Sequence, residues 1–331
     1  MQKSLDMFAR ILLENGIPHT VLRPRPNFEA IPYMSKILTP KAIAIIDKYL
    51  VFPIQLLILG LYKRRKDVIF HSIDHSNSVY RFCLLQHKFV VTCNDVLGIK
   101  AAIDCENGYQ PTMLGNILQR FIFLGLYLAD HIVCISAHTQ GQLHSLGIPI
   151  SKTSRQYLPL NYDYKPLSHI ETINIPENIQ DLFCANLHPA PYILHVGNDV
   201  WYKNRIGLLH LYRQLLLYQD SINKPCPKLV LAGSQPNYDC DLVIKSLPVG
   251  SVRIVESPSN DELNILYSRA ECLLFPSLAE GFGWPIIEAM ASGCPVITSN
   301  RPPLTEVGGD AAIYLDPVDY TASTKVISDF L

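Results

Sequence analysis

The sequence predicts an α/β fold of two doubly wound domains with parallel sheets, on three observations. Short β-branched and apolar runs alternate with helical segments, the pattern of strand, helix, strand units whose strands pair in parallel. The alternation comes as two series, parted by residues 165–190, where the chain turns polar and irregular and carries Pro166, Pro176 and Pro189. With 331 residues the chain is long enough for two hydrophobic cores. The expected domains are 1–185 and 186–331.

The first series opens with Leu5, Phe8, Ile11 and Leu12 on one helical face, Gly16 as the stop, and a strand starting at His19–Leu22. Further strands are expected at 67–73 (DVIFHSI), 88–93 (KFVVTC) and 131–136 (HIVCIS). The second series places strands at 192–197, 228–233, 251–256, 271–276 and 295–300. Between the last two, Pro285 suits the first helical position and Gly293 the residue just past the last turn, so a helix of about 285–292 is expected. Gly281 and Gly283 fall in the loop before it, where they let a ligand approach the main chain.

Composition narrows the functional classes. A chain that is 48% hydrophobic and 17% charged is globular, and a formal net charge of −1 gives no electrostatic case for nucleic acid. Nine cysteines without a CxxC pair fit free thiols in a reducing cytoplasm. The apolar stretches 49–62 and 121–136 are expected not to cross a bilayer, the first as too short and the second as broken by Asp130 and His131. Lys63, Arg64, Arg65 and Lys66 follow the first directly, which leaves two readings open: a core helix with a solvated basic end, or a peripheral contact with the inner face of an anionic membrane.

Chemistry concentrates at the carboxyl ends of the expected strands, where ligands bind in parallel α/β sheets and helix N-termini direct N–H groups at anions. In PSLAEGFGWPIIEAM, Glu280 and Glu288 are placed to accept hydrogen bonds from sugar hydroxyls. In GNDVWYKNRIG, Lys203, Asn204 and Arg205 open a helix, so cations and backbone N–H groups share one rim as a phosphate cradle. Asn94 and Asp95 end the 88–93 strand and are, with Glu280, candidate catalytic groups, polar and placed to touch a reacting sugar, with helix capping by Asp95 as the competing reading. His71, Asp74, His75 and Asn77 lack metal-ligand spacing, and His195 reads as a hydrogen-bonded core histidine. Asp239-Cys240-Asp241 matches an Asp-x-Asp metal pattern, but acids of a first helical turn explain it better.

The stretch PSLAEGFGWPIIEAMASGCPVITSNRPPLTEVGGDAAIYLDP, together with ILHVGNDVWYKN and ADHIVCISAHTQ, resembles retaining glycosyltransferases of the GT-B fold, family 4 (group 1), mannosyltransferase-like members. The resemblance implies two Rossmann-like domains facing a cleft, the first on the acceptor side and the second binding the nucleotide sugar. It implies hexosyl transfer with retention from a nucleotide-diphosphate donor to a glycan, lipid-linked or small-molecule acceptor, in polysaccharide biosynthesis. By the resemblance Glu288 accepts the ribose hydroxyls and Glu280 contacts the donor sugar. Gly281 and Phe282 offer N–H groups, with Gly197, Asn204 and Gly283 beside them, and Lys203 neutralises the leaving diphosphate. No metal or other cofactor is then expected. Many members have histidine at the position of Asn94 and a basic residue at that of Tyr202. The family begins with a strand and Gly-rich loop and closes with further helices, so the first domain is expected to lack its first strand and the second its closing helices. A truncated, non-catalytic nucleotide-sugar-binding remnant and a sugar-nucleotide epimerase are the alternatives.

Overall fold

The computed structural model describes residues 2–24, 39–62, 68–103, 112–167, 176–182 and 191–331. The chain divides into two compact units, Met1–Tyr157 and Leu158–Leu331. The division falls earlier than the boundary expected at 185. Tyr162, Tyr164 and Leu167 pack into the second unit's core, where Tyr164 sets its ring edge on Tyr267. The polar, proline-containing composition marks this stretch as irregular but does not say which core its aromatics join.

In the first unit, helix α1 (Gln2–Glu14) is followed by residues 17–24, which form no strand; the strand expected from His19 is absent, and Val21 and Leu22 are exposed. Helix α2 (Pro40–Ile46), capped by Thr39, runs through a π-helical turn at Asp47–Val51 into α3 (Phe52–Tyr62). Pro53 has no N–H to return to the preceding turn, which accounts for the local widening. The apolar helix is therefore longer than the 49–62 stretch suggested: Ala42–Leu61 is 20 residues, long and apolar enough to cross a membrane. Strands β1 (Ile69–Ser72) and β2 (Lys88–Cys93) are joined by a 3-10 segment, His75–Cys83. Helices α4 (Leu97–Ile103) and α5 (Met113–Tyr127), strand β3 (His131–Cys134), α6 (Ala137–Ser145) and a short β4 (Thr153–Arg155) follow. The sheet order is β1-β2-β3-β4, all parallel. Thr-Ser-Arg carries no apolar run, so β4 has no sequence signal.

The second unit holds β5 (Tyr192–Val196), α7 (Arg205–Ser221), β6 (Lys228–Gly233), α8 (Tyr238–Lys245), β7 (Val252–Glu256) and α9 (Asn260–Arg269). After these come β8 (Cys272–Phe275), α10 (Trp284–Ala291), β9 (Val296–Ser299), α11 (Leu304–Gly308), β10 (Ala312–Leu315) and α12 (Tyr320–Phe330). Strand order is β10-β9-β8-β5-β6-β7, all parallel. β8 and β9 are buried at every residue because helices cover both faces. Alternate side chains feed two cores: Leu194, Val230 and Leu273 face one way, Ile193, Leu229 and Leu274 the other. From β5 the chain builds β6 and β7 on one side, then crosses back to place β8 on the other. The loops leaving β5 and β8 therefore part at a topological switch point, where such sheets form their ligand crevice.

Packing in the first unit is tightest where α5 meets the 3-10 segment. Ser78 Oγ donates to Ile122 O at 2.6 Å, and a Cβ on Gly125 would stand 2.4 Å from Ser78 O. Gly125→Ala is expected to cost about 2–4 kcal/mol, the range of an overpacked core position. Gly141, inside α6 with open space where its Cβ would be, is the opposite case, and Gly141→Ala is expected to stabilise by up to about 1 kcal/mol. Urea unfolding followed by circular dichroism measures both.

Candidate functional site

The two loops at the switch point are the two stretches that the sequence marked as chemical, and they are stitched together. Leu278 N–H donates to Tyr202 O at 2.7 Å, and Asn204 Nδ2 donates to Pro276 O at 3.0 Å and to Pro317 O at 3.3 Å. Between them Lys203 Nζ lies 2.7 Å from Glu280 Oε1, both side chains largely buried, and 4.7 Å from the centre of the Phe275 ring. The lysine stem passes Gly197 so closely that a Cβ there would stand 3.3 Å from Lys203 Cδ. One cation and one carboxylate thus meet where the two loops leave the sheet.

Asn204 and Arg205 correct the sequence expectation for their side chains. Asn204 adopts a left-handed conformation (φ 56°) and spends its amide on the two carbonyls just named. Arg205 is 1% exposed; its Nη1 donates to Ser234 O at 2.8 Å and its Nη2 to Gly197 O at 2.5 Å. The guanidinium fork clamps the loops after β5 and β6, whose backbones approach so closely that a Cβ on Gly233 would fall 2.1 Å from Gly197 O. A basic residue at a helix start reads the same in sequence whether it faces outward or folds back under the rim.

Gly283, at φ 107°, precedes α10 without a side-chain cap, and the left-handed angle is one that only glycine adopts easily. Pro285 falls at the second helical position, and Gly293 ends the helix in the left-handed region as expected. Phe282 is buried beside the turn, and Gly281 is half-buried. Glu288 sits in α10 at 6% exposure; Tyr267 Oη donates to its Oε2 at 3.0 Å and Asn161 Nδ2 to its Oε1 at 3.3 Å. Burial first, then the charge of Glu288, raises the Tyr267 pKa, so the phenol stays protonated as a donor. Sequence reasoning missed both partners. Tyr267 lies in a helix marked only by its capping box at Ser259 and Glu262, and Asn161 lies in the stretch assigned to the other domain.

In the first unit Asn94 and Asp95 follow β2 as expected. Asp95 caps α4, its Oδ1 accepting from Leu97 N–H at 3.0 Å, so the competing reading is realised. His75 comes close from the preceding element, its Nε2 4.0 Å from Asp95 Oδ1 and its Nδ1 3.7 Å from Asp74 Oδ1. His71 meets Thr92 Oγ1 at 2.9 Å, with burial lowering its pKa to about 4. His195 is a core histidine: its Nδ1 is 3.1 Å from Leu274 O, and burial lowers its pKa to about 3. Asp239 and Asp241 are first-turn acids of α8 under the Asn237 cap. Among the described residues no three His, Cys, Asp or Glu side chains gather as a metal site, and the seven cysteines there are free.

A parallel sheet with its switch point between two such loops belongs to the doubly wound α/β class, and comparison with known proteins narrows it. Residues 185–331 match the family described as Glycosyl transferases group 1. The chain is 31% identical to O-antigen chain mannosyltransferase B of Escherichia coli over 218 residues, 65% of this chain and 55% of that one. It is 38% identical to O-antigen chain mannosyltransferase RfbU of Salmonella typhimurium over 243 residues, 72% of this chain and 61% of that one. It therefore spans less than two thirds of either relative's length. Among solved structures, sucrose-phosphate synthase from Thermosynechococcus elongatus aligns with a TM-score of 0.62 at 21% identity, covering 84% of this chain and 68% of that one. Anabaena HepE in complex with UDP and glucose aligns with a TM-score of 0.62 at 15% identity, covering 97% and 78%. These likenesses show the fold: α/β with parallel sheets in two domains, as in GT-B glycosyltransferases.

Replacing the Arg205 clamp leaves the carbonyls of Gly197 and Ser234 without their donors. Arg205→Met is expected to lose about 2–4 kcal/mol. Arg205→Lys should not restore it, because a single ammonium does not reproduce the fork that reaches both oxygens. Chemical denaturation reads both variants.

Proposed function

We propose that the protein is a retaining hexosyltransferase, a mannosyltransferase by its relatives, that takes sugar from a nucleoside-diphosphate donor held on the second unit. The observation that carries this reading is the meeting of Lys203 and Glu280 at the switch point, inside a segment that matches Glycosyl transferases group 1. A lysine beside a helix N-terminus is suited to a diphosphate, and the carboxylate beside it to sugar hydroxyls. Glu288, oriented by Tyr267 and Asn161, is suited to the ribose. A carboxylate fixed by two donors still has lone pairs for a diol.

Chemically, the bond from the anomeric carbon to the diphosphate breaks as the acceptor oxygen bonds to the same face of that carbon. The acceptor's proton passes to the departing diphosphate. Lys203 and the positive end of the α10 dipole offset the charge that develops on the leaving group. On the acceptor side Asn94 offers no imidazole, but His75 brings one beside Asp95. The acceptor is a glycan, a lipid-linked saccharide or a small molecule, and a lipid-linked one suits an enzyme that works in the cytoplasm and touches the inner face of the membrane.

Isothermal titration calorimetry with GDP, UDP and GDP-mannose tests the donor site, and a group 1 transferase is expected to bind one of the two diphosphates. Glu288→Ala should weaken that binding by about 1–3 kcal/mol, and Tyr267→Phe by about 0.5–1.5 kcal/mol through loss of one orienting hydrogen bond. Unchanged affinity in Glu288→Ala would remove the assignment. Binding without glycosyl transfer to any acceptor would favour the non-catalytic reading, while conversion of the donor sugar in the absence of acceptor would favour the epimerase.

A further inference from the structure

The first unit carries two apolar helical stripes that its own core leaves bare. Along α2–α3, Leu50, Ile54, Leu57, Ile58 and Leu61 follow helical spacing and all are exposed, Ile58 by 61% and Leu61 by 60%. Along α5, Met113, Ile117, Phe121 and Leu124 do the same, Met113 by 80%. Both helices pack against the same 3-10 segment: Phe52 sets its edge on Tyr80, and Phe121 on Phe82. Exposed apolar residues in two stripes of this kind differ from the scattered ones every surface carries.

Charge says what covers them. From Pro40 to Lys66 the sequence has one acid, Asp47, and it is buried. Against it stand Lys41, Lys48 and the run Lys63, Arg64, Arg65 and Lys66, which begins where α3 ends. From Met113 to Leu128 there is no acid, and Arg120 is exposed within the stripe. A second copy of this surface would bring like charge against like, which is unfavourable; a sheet of anionic headgroups over hydrocarbon complements both features.

We propose that helices α2–α3 and α5 form a membrane-docking face that lies in the headgroup plane of an anionic bilayer, with their apolar stripes dipped into its outer hydrocarbon. The helix lies on the bilayer and does not cross it, despite its length. Its other side is part of the first unit's core: Ile43, Phe52 and Leu56 are buried, and Gly60 O accepts from His87 Nε2 at 3.1 Å. A spanning arrangement would strip that face from the core. The docking face stands independently of what the second unit binds.

The test is co-sedimentation of the full chain with phosphatidylcholine vesicles containing about 30 mol% phosphatidylglycerol, against phosphatidylcholine alone. Binding is expected to the anionic vesicles, weakened at least about tenfold when salt rises from about 0.1 M to about 0.5 M. The double change Ile58→Glu with Met113→Glu should abolish it with little change in the melting temperature, since both side chains are well exposed. Glutamine at all four of Lys63, Arg64, Arg65 and Lys66 should weaken it on the order of several hundredfold. Leu217→Glu, on an exposed side chain of α7 in the other unit, should leave it intact. Three results would overturn the proposal: no binding to anionic vesicles, equal binding by the double variant, or a wild-type dimer that the double variant turns into a monomer. Resistance of the membrane-bound protein to alkaline carbonate extraction would replace docking with a span.

Discussion

The reversal of strand order between β5 and β8 is the constraint on which the candidate site depends. Because β6 and β7 are laid down on one side of β5 and β8 on the other, two loops separated by about seventy residues of chain leave the sheet side by side. Their junction is not left to the sheet alone. The Leu278 to Tyr202 backbone bond, the two bonds from the Asn204 amide and the Lys203–Glu280 pair tie one loop to the other. A lysine and a glutamate that are far apart in sequence become neighbours through topology, and the arginine two residues after that lysine is spent on holding the rim in shape.

That division of labour explains what was legible in the sequence. Strands β5, β6, β8 and β9 were readable to within a residue or two because each is a short apolar run, largely buried and bounded by turn residues. The edge strand β7 was readable instead from its alternating Val252 and Ile254 and its β-branched content. Lys203, Glu280 and Glu288 were readable because a charged side chain at a strand end or in a Gly-rich turn has few other reasons to be there. Direction was not readable. Arg205 and Lys203 have the same charge two positions apart, and only the packed backbone shows that one guanidinium folds under Gly197 while the ammonium stays with Glu280. Contacts between distant segments were equally hidden: nothing local to Tyr267 or Asn161 announces Glu288, more than twenty and more than a hundred residues away. Strand β4 failed for another reason, since three residues paired to β3 through backbone bonds need no apolar pattern.

The first unit shows a different limit. Hydrophobic periodicity finds the face a helix must bury but does not identify what buries it. In α3 the apolar residues run nearly all round, and the structure partitions them: Phe52 and Leu56 join Tyr80, Leu84 and Phe89, while their neighbours on the opposite side meet solvent. An all-round apolar helix ordinarily belongs inside a large core or a membrane. Here only a narrow face, Phe52, Leu56 and Gly60, is inside the core, so the fold itself supplies one apolar environment and leaves the wider side in need of a second.

The electrostatic state of the crevice follows from the same economy. A lone ammonium between the two loops, walled by Phe275 and the Gly197 backbone, would be costly to hold dry, and Glu280 at 2.7 Å offsets that cost in the ligand-free structure. On the proposed function, an incoming diphosphate would bring more negative charge than the carboxylate and draw the ammonium to itself, freeing Glu280 as an acceptor for a sugar's hydroxyls. On that reading the pair is an exchange of partners prepared in advance, in which each charge keeps an opposite charge or a hydrogen bond throughout. Arg205 cannot take part in that exchange, because its fork is already divided between two carbonyls. For that reason the burden of charge at this rim falls, on the proposed function, on Lys203 and on the positive end of the α10 dipole.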